Sequence, residues 1–507
     1  MKSDQLLLGP PGCGKTHTLM QMVEDALAQG TRSEEIGFMS FTKKAVEEAR
    51  SRACAKFNLE PKQLPWFRTL HSAAWRSLGL SRNDLLSMED WRTLGRTLGL
   101  SFKGADSASP DDGILIPAVG GDGSKYLQMI DRSRYRQCTL EQEFNDAEDY
   151  NLYFSKMKQI HETVTAYKSD NQKVDFADMI ELALDVDPPR LQLLFIDEAQ
   201  DLTPLQWEMV GHWTENAERV VYAGDDDQAI HRWTGVVVER FMNVTANVEI
   251  LSQSYRLPKR VFDVSQQIVQ NIQTRFEKEF YPTEHEGVVE YHLTMDSVPI
   301  HQGSWTIMCR TNSFVREFAD ILRESGYLYS MKGTPSIKTE VGKAIQTWRE
   351  LQAGDMVSVD RIKKMYEVVP KQGDYKVVKR GAGNLLDAAD PTGDLNIDDL
   401  YKHYGLECDR AREAMDVVRL GNDDKMYVQA IERRGESITQ PPRIKLSTFH
   451  AMKGGEDDNC LVFLASTRAC MESKYPDDEH RAFYVGVTRA KKELHILDTD
   501  KKYRYEI

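Results

Sequence analysis

The chain has 507 residues, a formal net charge of −14, 41% hydrophobic and 28% charged residues, too long for one compact core and sized for roughly two to four structural units. No apolar run is long enough for a membrane span and MKSDQLLLGPPG lacks a signal-peptide layout, so a cytoplasmic protein is expected. Seven dispersed cysteines with no CxxC pair exclude a disulfide scaffold and a cysteine-held metal, and the acidic balance leaves only a locally basic, aromatic channel open for nucleic acid.

In chain order, LLLGPPGCGKTHTLMQMVEDAL reads as a buried strand, a glycine-rich turn and an amphipathic helix. IGFMSF and KKAVEEARSRACAKF repeat the strand–helix alternation. From Arg76 to Tyr150, Gly/Ser/Asp-rich patches (SFKGADSASPDDG, PAVGGDGS) separate helical pieces and predict an insertion. The α/β pattern returns in LQLLFIDEAQD and ERVVYAGDDDQ, apolar runs that end in carboxylates as parallel strands do at their carboxyl ends. A second α/β unit is expected from Asn247, through VEILSQSYR, SWTIMCRTN, the helix SFVREFADILRESGY, IKLSTFHAMKGGE, NCLVFLAS and KELHILD. A Gly-, Asp- and base-rich stretch from Lys332 to Pro442 predicts a second insertion. The expected organisation is a first α/β domain over 1–75 plus 151–246 with an insertion at 76–150, and a second over 247–331 plus 443–507 with an insertion at 332–442.

GPPGCGKT, Gly9 to Thr16, fits the phosphate-binding pattern G-x-x-x-x-G-K-[ST] after a strand and opening a helix. Its glycines, Gly9, Gly12 and Gly14, let backbone N–H groups turn onto phosphate oxygens, Pro10, Pro11 and Cys13 complete the nucleotide-binding loop, and the helix N-terminus adds positive potential. Lys15 would contact the β- and γ-phosphates and Thr16 would ligate Mg2+. LLFIDEAQD supplies the second half: Asp197 for the metal, and Glu198 to orient and deprotonate the attacking water. Hydrolysis of ATP or GTP with Mg2+ follows.

Together with SFTKKAVEEARSR, FRTLHSAAWRSL, VDFADMIELAL, AGDDDQAIHRW, LSQSYR, LSTFHAMKGGE and AFYVGVTRAKKEL, these motifs run in the order found in superfamily 1 DNA helicases of the UvrD/Rep/PcrA type, which the chain resembles over essentially its whole length. The resemblance implies an α/β fold of two RecA-like P-loop NTPase domains, each with an inserted, mainly helical subdomain. It assigns Gln228 as a γ-phosphate sensor that signals to DNA, Arg256 and Arg489 as arginine fingers, Tyr255 as an adenine-stacking ring, and Glu456 as a ribose contact. Where the family commonly has an arginine against the base this chain has His17, a departure at a nucleotide-binding position, and the resemblance gives Phe41, Thr42, Thr69, His71, His231, Trp233, Thr448 and His450 to the DNA path. Aromatic faces suit base stacking, worth roughly 1–3 kcal/mol per base. Arg310 is a further phosphate-side candidate.

Both arginines are expected from the second domain and the phosphate loop from the first, which would put ATP in a cleft that closes on binding and opens on hydrolysis. The implied activity is 3′→5′ movement along single-stranded DNA and through single–double-strand junctions, by a monomer or weak oligomer with accessory repair or replication proteins as partners and no membrane. Other readings are a translocase or protein–DNA remodeller with weak unwinding, and a P-loop switch acting on a protein partner. Three further departures from the family pattern stand out. Only eight residues precede Gly9, so the adenine-reading glutamine segment is expected to be missing, with Gln5 no substitute; Gly455 and Asp457 are expected to loosen their loop; and TDKKYRYEI is an abbreviated strand-separating hairpin with Tyr503 as its pin.

Overall fold

The computed structural model describes residues 4–41, 43–102, 123–147 and 152–507. Thr42 and most of the Gly/Ser/Asp-rich patches of the first insertion lie outside the described residues. Two units form, one from Met1–Glu286, Glu472–Thr488 and Ile507, the other from Gly287–Met471 and Arg489–Glu506.

The first unit is built on six strands, β1 (Gln5–Leu8), β2 (Ile36–Ser40), β3 (Phe67–Thr69), β4 (Leu191–Asp197), β5 (Ala217–Gly224) and β6 (Asn247–Ile250), in the order β3-β2-β4-β5-β1-β6. Every pairing is parallel. Side chains alternate across a strand, so an apolar run feeds two cores. Leu6, Leu8, Leu194, Ile196, Val220 and Tyr222 join the helices Phe176–Ala183 and Pro204–Glu215 on one face. Leu7, Phe195, Val221 and Ala223 join Lys15–Ala28 and Lys43–Phe57 on the other. With β5 between β4 and β1, the carboxyl ends of these three strands deliver Asp197, Gly224 and Leu8 side by side, the place where open parallel sheets bind ligands.

A separate helical core holds Leu94, Leu98, Tyr126, Leu127, Ile130, Met157, Ile160 and Val164. It includes the helix Phe154–Asn171, so the first insertion extends past the expected limit at Tyr150.

The second unit carries a seven-stranded sheet. Its strands are β7 (Val288–His292), β8 (Trp305–Cys309), β9 (Tyr329–Met331), β10 (Thr334–Pro335), β11 (Ile444–Thr448), β12 (Asp457–Phe463) and β13 (Ala490–Leu497), ordered β10-β9-β11-β8-β12-β13-β7. Only the β9–β10 hairpin is antiparallel among these pairings. Residues of the expected 332–442 insertion, Trp348, Tyr366 and Leu400 among them, share one continuous core with Ile307, Leu446 and Leu461 of the sheet.

Two boundaries differ from the sequence expectation. β6 pairs in register with β1, Leu8 opposite Ile250, so Asn247–Glu286 belongs to the first unit. The helix Pro476–Val487 also belongs there. Its buried Arg481 donates Nε to the Asp226 carbonyl at 2.9 Å, and Asp477 accepts the backbone N–H groups of Gln273 (3.0 Å) and Thr274 (2.9 Å). An apolar pattern cannot reveal either point, because β6 is an exposed edge strand and the buried Phe483, Tyr484 and Val485 of the helix carry no signal of which unit they pack into.

Candidate nucleotide and nucleic-acid site

The phosphate loop leaves β1 at Gly9 and enters the helix at Lys15. A Cβ on Gly9 would lie 2.0 Å from Lys15 Cγ, so only glycine lets the lysine fold back over the loop. Lys15 Nζ then donates to the Gly9 carbonyl at 2.7 Å. The helix N-cap, Gly14, supplies no side-chain cap, and no acidic residue occupies the first turn. The N-terminal N–H groups and the helix dipole therefore remain directed at an incoming anion.

Asp197 ends β4 and accepts the Thr16 hydroxyl at 3.0 Å. Burial, and next the neighbouring Glu198, push its carboxyl up to about 7 against the pull of Lys15 and Thr16. A buried oxygen donor that resists ionisation beside a hydroxyl fits a hard divalent cation, whose charge would relieve the penalty. Lys15 itself is held above the usual lysine range: burial works against its charge, but Glu198, Cys13, Asp225 and Asp197 outweigh it. Burial raises the Cys13 thiol, with Lys15 opposing.

Glu198 has φ 54°, a left-handed conformation unusual for a side-chain-bearing residue, of the kind that concentrates at functional sites. Gln200 Nε2 donates to its carboxylate at 2.6 Å, while Gln200 Oε1 accepts the Asp225 N–H at 3.0 Å. Gln228 Nε2 donates to Asp225 Oδ2 at 2.6 Å. A relay of three hydrogen bonds thus joins Glu198 to Gln228. Sequence reasoning singled out both ends and missed Gln200, although it stands two residues past Glu198 in DEAQD.

Asp225, Asp226 and Asp227 are all buried, and Lys278 fills the space among them, 2.9 Å from Asp225, 2.8 Å from Asp227 and paired with Asp226 as well. Arg275 grips Asp227 with two bonds of 2.9 Å. Neither cation lies in a recognisable motif.

Arg256 lies in the first unit, not the second, beside the phosphate loop. Tyr255 N–H donates to the Gly12 carbonyl at 2.9 Å, and Ser254 Oγ donates to the Pro11 carbonyl at 2.7 Å. Gly12 has φ +75°, and a Cβ there would stand 2.3 Å from Arg256 Cβ, so the close approach requires glycine. The Tyr255 ring is 76% exposed, open for stacking. His17 is exposed and contacts Arg52 through Nδ1 at 3.2 Å. Gln5 sits at the opposite end of β1 from the loop, accepting from Arg219 at 2.8 Å.

The expected DNA residues divide sharply. Phe41, His231 and Trp233 form a row of rings, with centroids 5.5 Å and 6.3 Å apart, of which Trp233 alone is strongly exposed, at 49%. Thr69 is buried and caps the helix Leu70–Leu78 by accepting the Ser72 N–H. His71 is 1% exposed, its Nε2 3.1 Å from the Tyr135 hydroxyl, and burial lowers its pKa to about 4. Both side chains are closed to solvent, one capping a helix and the other packed on Tyr135; Phe41 and His231 are likewise buried behind Trp233.

In the second unit, Thr448 ends β11, where its Oγ1 accepts the Ala451 N–H, and His450 follows, half-buried. Arg489 is buried, and one of its guanidinium nitrogens donates to the Gly455 carbonyl at 3.2 Å. Glu456 is exposed, 3.6 Å from Lys491, and Arg310 follows β8 half-buried. The loop is not loosened by its unusual residues. Asp457 is buried and accepts from Ser304 (2.8 Å), Thr306 (2.9 Å) and Lys445 (3.0 Å), while a Cβ on Gly455 would lie 2.8 Å from Met452 Cε. Tyr503 is half-buried, its carbonyl accepts the Ser466 N–H at 2.9 Å, and Tyr505 beyond it is buried.

No described helix is long and apolar enough to cross a membrane. Residues 1–249 match the UvrD/REP helicase N-terminal domain, and residues 424–501 match the UvrD-like helicase C-terminal domain. Similar proteins include the ATP-dependent DNA helicase PcrA of Bacillus subtilis (strain 168), 23% identical over an alignment covering 97% of this chain and 80% of the relative. The proteins of the same name from Leuconostoc citreum and Staphylococcus aureus (strain Mu50) are each 22% identical, over 65% and 80% of this chain. The chain spans 48% and 59% of the length of those two relatives.

Proposed function

The chain belongs to the superfamily 1 helicases of the UvrD/Rep/PcrA type, and from that premise we propose that it is an ATP-dependent DNA helicase or translocase that moves 3′→5′ along single-stranded DNA. The observation that carries the reading is the convergence, at the carboxyl ends of three adjacent strands, of a lysine folded over a phosphate loop, a hydroxyl–carboxylate pair and a glutamate wired to a glutamine sensor.

In this reading the loop N–H groups and Lys15 bind the β- and γ-phosphates, and Thr16 and Asp197 hold Mg2+. When bound, Mg2+ neutralises phosphate charge and polarises the terminal phosphoryl group. Glu198 orients the attacking water and takes its proton. Gln228 registers the γ-phosphate, and the relay through Asp225 and Gln200 ties that event to Glu198. Tyr255 stacks on the base. Arg256, adjacent to the loop, and Arg489, carried by the second unit, spread charge on the transferring phosphoryl group. Trp233 offers its open face to a DNA base, and Thr448 and His450 contribute from the second unit. The protein acts in the cytoplasm as a monomer or weak oligomer, with repair or replication proteins as its accessory partners.

Strand displacement on duplexes with a single 3′ or 5′ tail tests the activity and its direction together. Unwinding with ATP of the 3′-tailed substrate alone is expected; preference for the 5′ tail overturns the polarity, and ATP turnover indifferent to either DNA overturns the motor. Arg489→Ala is expected to bind ATP and to hydrolyse it about 10³-fold more slowly or worse, measured by nucleotide affinity beside single-turnover rates.

A further inference from the structure

A second group of ligand-type side chains lies on the sheet edge of the second unit. β7 is an edge strand paired in parallel with β13, His495 opposite Glu290 and Leu497 opposite His292. Alternation puts Glu290 and His292 on one face of β7, which His495 joins from β13. Three atoms converge there. His292 Nε2 is 2.9 Å from His495 Nδ1, and Glu290 Oε2 is 3.7 Å from the first and 3.6 Å from the second. A point equidistant from all three lies about 2.0 Å from each, at the roughly 2.0–2.2 Å of zinc–nitrogen and zinc–oxygen bonds.

The outer ring nitrogens say which way the protons face. His292 Nδ1 is 2.8 Å from Ser297 Oγ, and that hydroxyl already donates to the Thr294 carbonyl at 2.8 Å. The ring nitrogen is therefore the donor. His495 Nε2 faces Glu493 Oε2 at 3.3 Å, and an ionised carboxylate only accepts. Each imidazole holds one proton outward, which turns two lone pairs towards each other across 2.9 Å. Such a gap is closed by a shared proton or by a cation. A proton bridges two acceptors, whereas this gap has a third beside it, Glu290 Oε2, which a cation satisfies together with the other two. A histidine whose far nitrogen is fixed by a hydroxyl or carboxylate is also the usual outer shell of a metal ligand.

We propose that Glu290, His292 and His495 bind one divalent transition cation of the Zn2+ class, with solvent completing its coordination. The two histidines are buried and Trp305 packs on His495 with ring centroids 4.9 Å apart, while the Glu290 side chain, 53% exposed, gives access from solvent. The ion ties the edge strand β7 to β13, the strand that begins at the residue after Arg489.

The test is metal uptake by the full chain, stripped with chelator and dialysed against Zn2+ alone, with Co2+ absorption as a second readout of nitrogen and oxygen coordination. About one equivalent bound by the wild type is expected, lost in His292→Asn and weakened about tenfold or more in Glu290→Gln. Glu290→Gln alters an exposed side chain, and an unchanged metal-free melting temperature shows that its fold is intact. Wild-type uptake far below one equivalent, or equal uptake by wild type and both variants, overturns the site.

Discussion

Two lysines of the first unit stand near the ends of neighbouring strands and do opposite things. Lys278 is buried and its ammonium is surrounded by the carboxylates of Asp225, Asp226 and Asp227. Lys15, half-buried, donates to a backbone carbonyl of its own loop, while Asp197 nearby is pushed up to about 7. The first cation is committed to internal charge and ties its own segment to the end of β5. In the proposed function the second is kept for a ligand. A buried lysine is thus glue or a binding group according to what its nitrogen touches, and Gln200 is the hydrogen-bonded bridge between the two settings.

The largest effect that would break this contrast is on stability. Lys278→Met leaves three carboxylates buried without their shared cation and is expected to cost about 3–5 kcal/mol, read from denaturant melts; a loss below 1 kcal/mol would remove the structural role. Lys15→Met is expected to leave the melt unchanged and to lower ATP turnover about 10²–10³-fold, the reverse pattern. Equal behaviour of the two variants would erase the distinction.

Gln200→Leu sharpens the link between them. It leaves the Asp225 N–H without its acceptor, with an expected stability cost of about 1–3 kcal/mol. It also cuts the path from Gln228 to Glu198, so turnover should respond less to DNA than in the wild type. A variant as DNA-responsive as the wild type would make the relay decorative.

The smallest effect concerns acid. Burial pushes Asp225 upward, but Lys278, then Lys15 and hydrogen bonds, hold it below the ordinary aspartate range. A carboxyl lowered in the folded state contributes stability above its unfolded value, about 3.9, and loses it as pH falls through the lower folded value. Wild type should therefore lose this contribution on acidification below about pH 4, and Lys278→Met should show a shallower acid limb in the same pH-dependent melts.

The phosphate loop was legible in full because its glycines, lysine and threonine answer to local geometry, within eight residues of one another. Asp197 and Glu198 were legible for the same reason, at the end of an apolar strand. Arg256 stands beside the phosphate loop, but its unit was misjudged: β6 is short and exposed, and nothing in VEIL announces a pairing with β1 across more than two hundred positions. Thr69 and His71 carried a DNA-like motif yet serve as a cap and a buried ring, since a motif does not report which way its side chains face. Lys278, Arg275 and Arg481 were invisible because each partners carboxylates or carbonyls far away in the chain. The Glu290–His292–His495 group was missed likewise: β-sheet register, not spacing, brings it together.

The most direct measurement is steady-state ATP hydrolysis by the wild type and Glu198→Gln, each with and without single-stranded DNA. A wild-type rate that rises severalfold or more with DNA is expected, against a Glu198→Gln rate about 10²–10⁴-fold lower with nucleotide and DNA binding retained. A DNA-independent wild-type rate, or near-normal turnover in Glu198→Gln, would contradict the account.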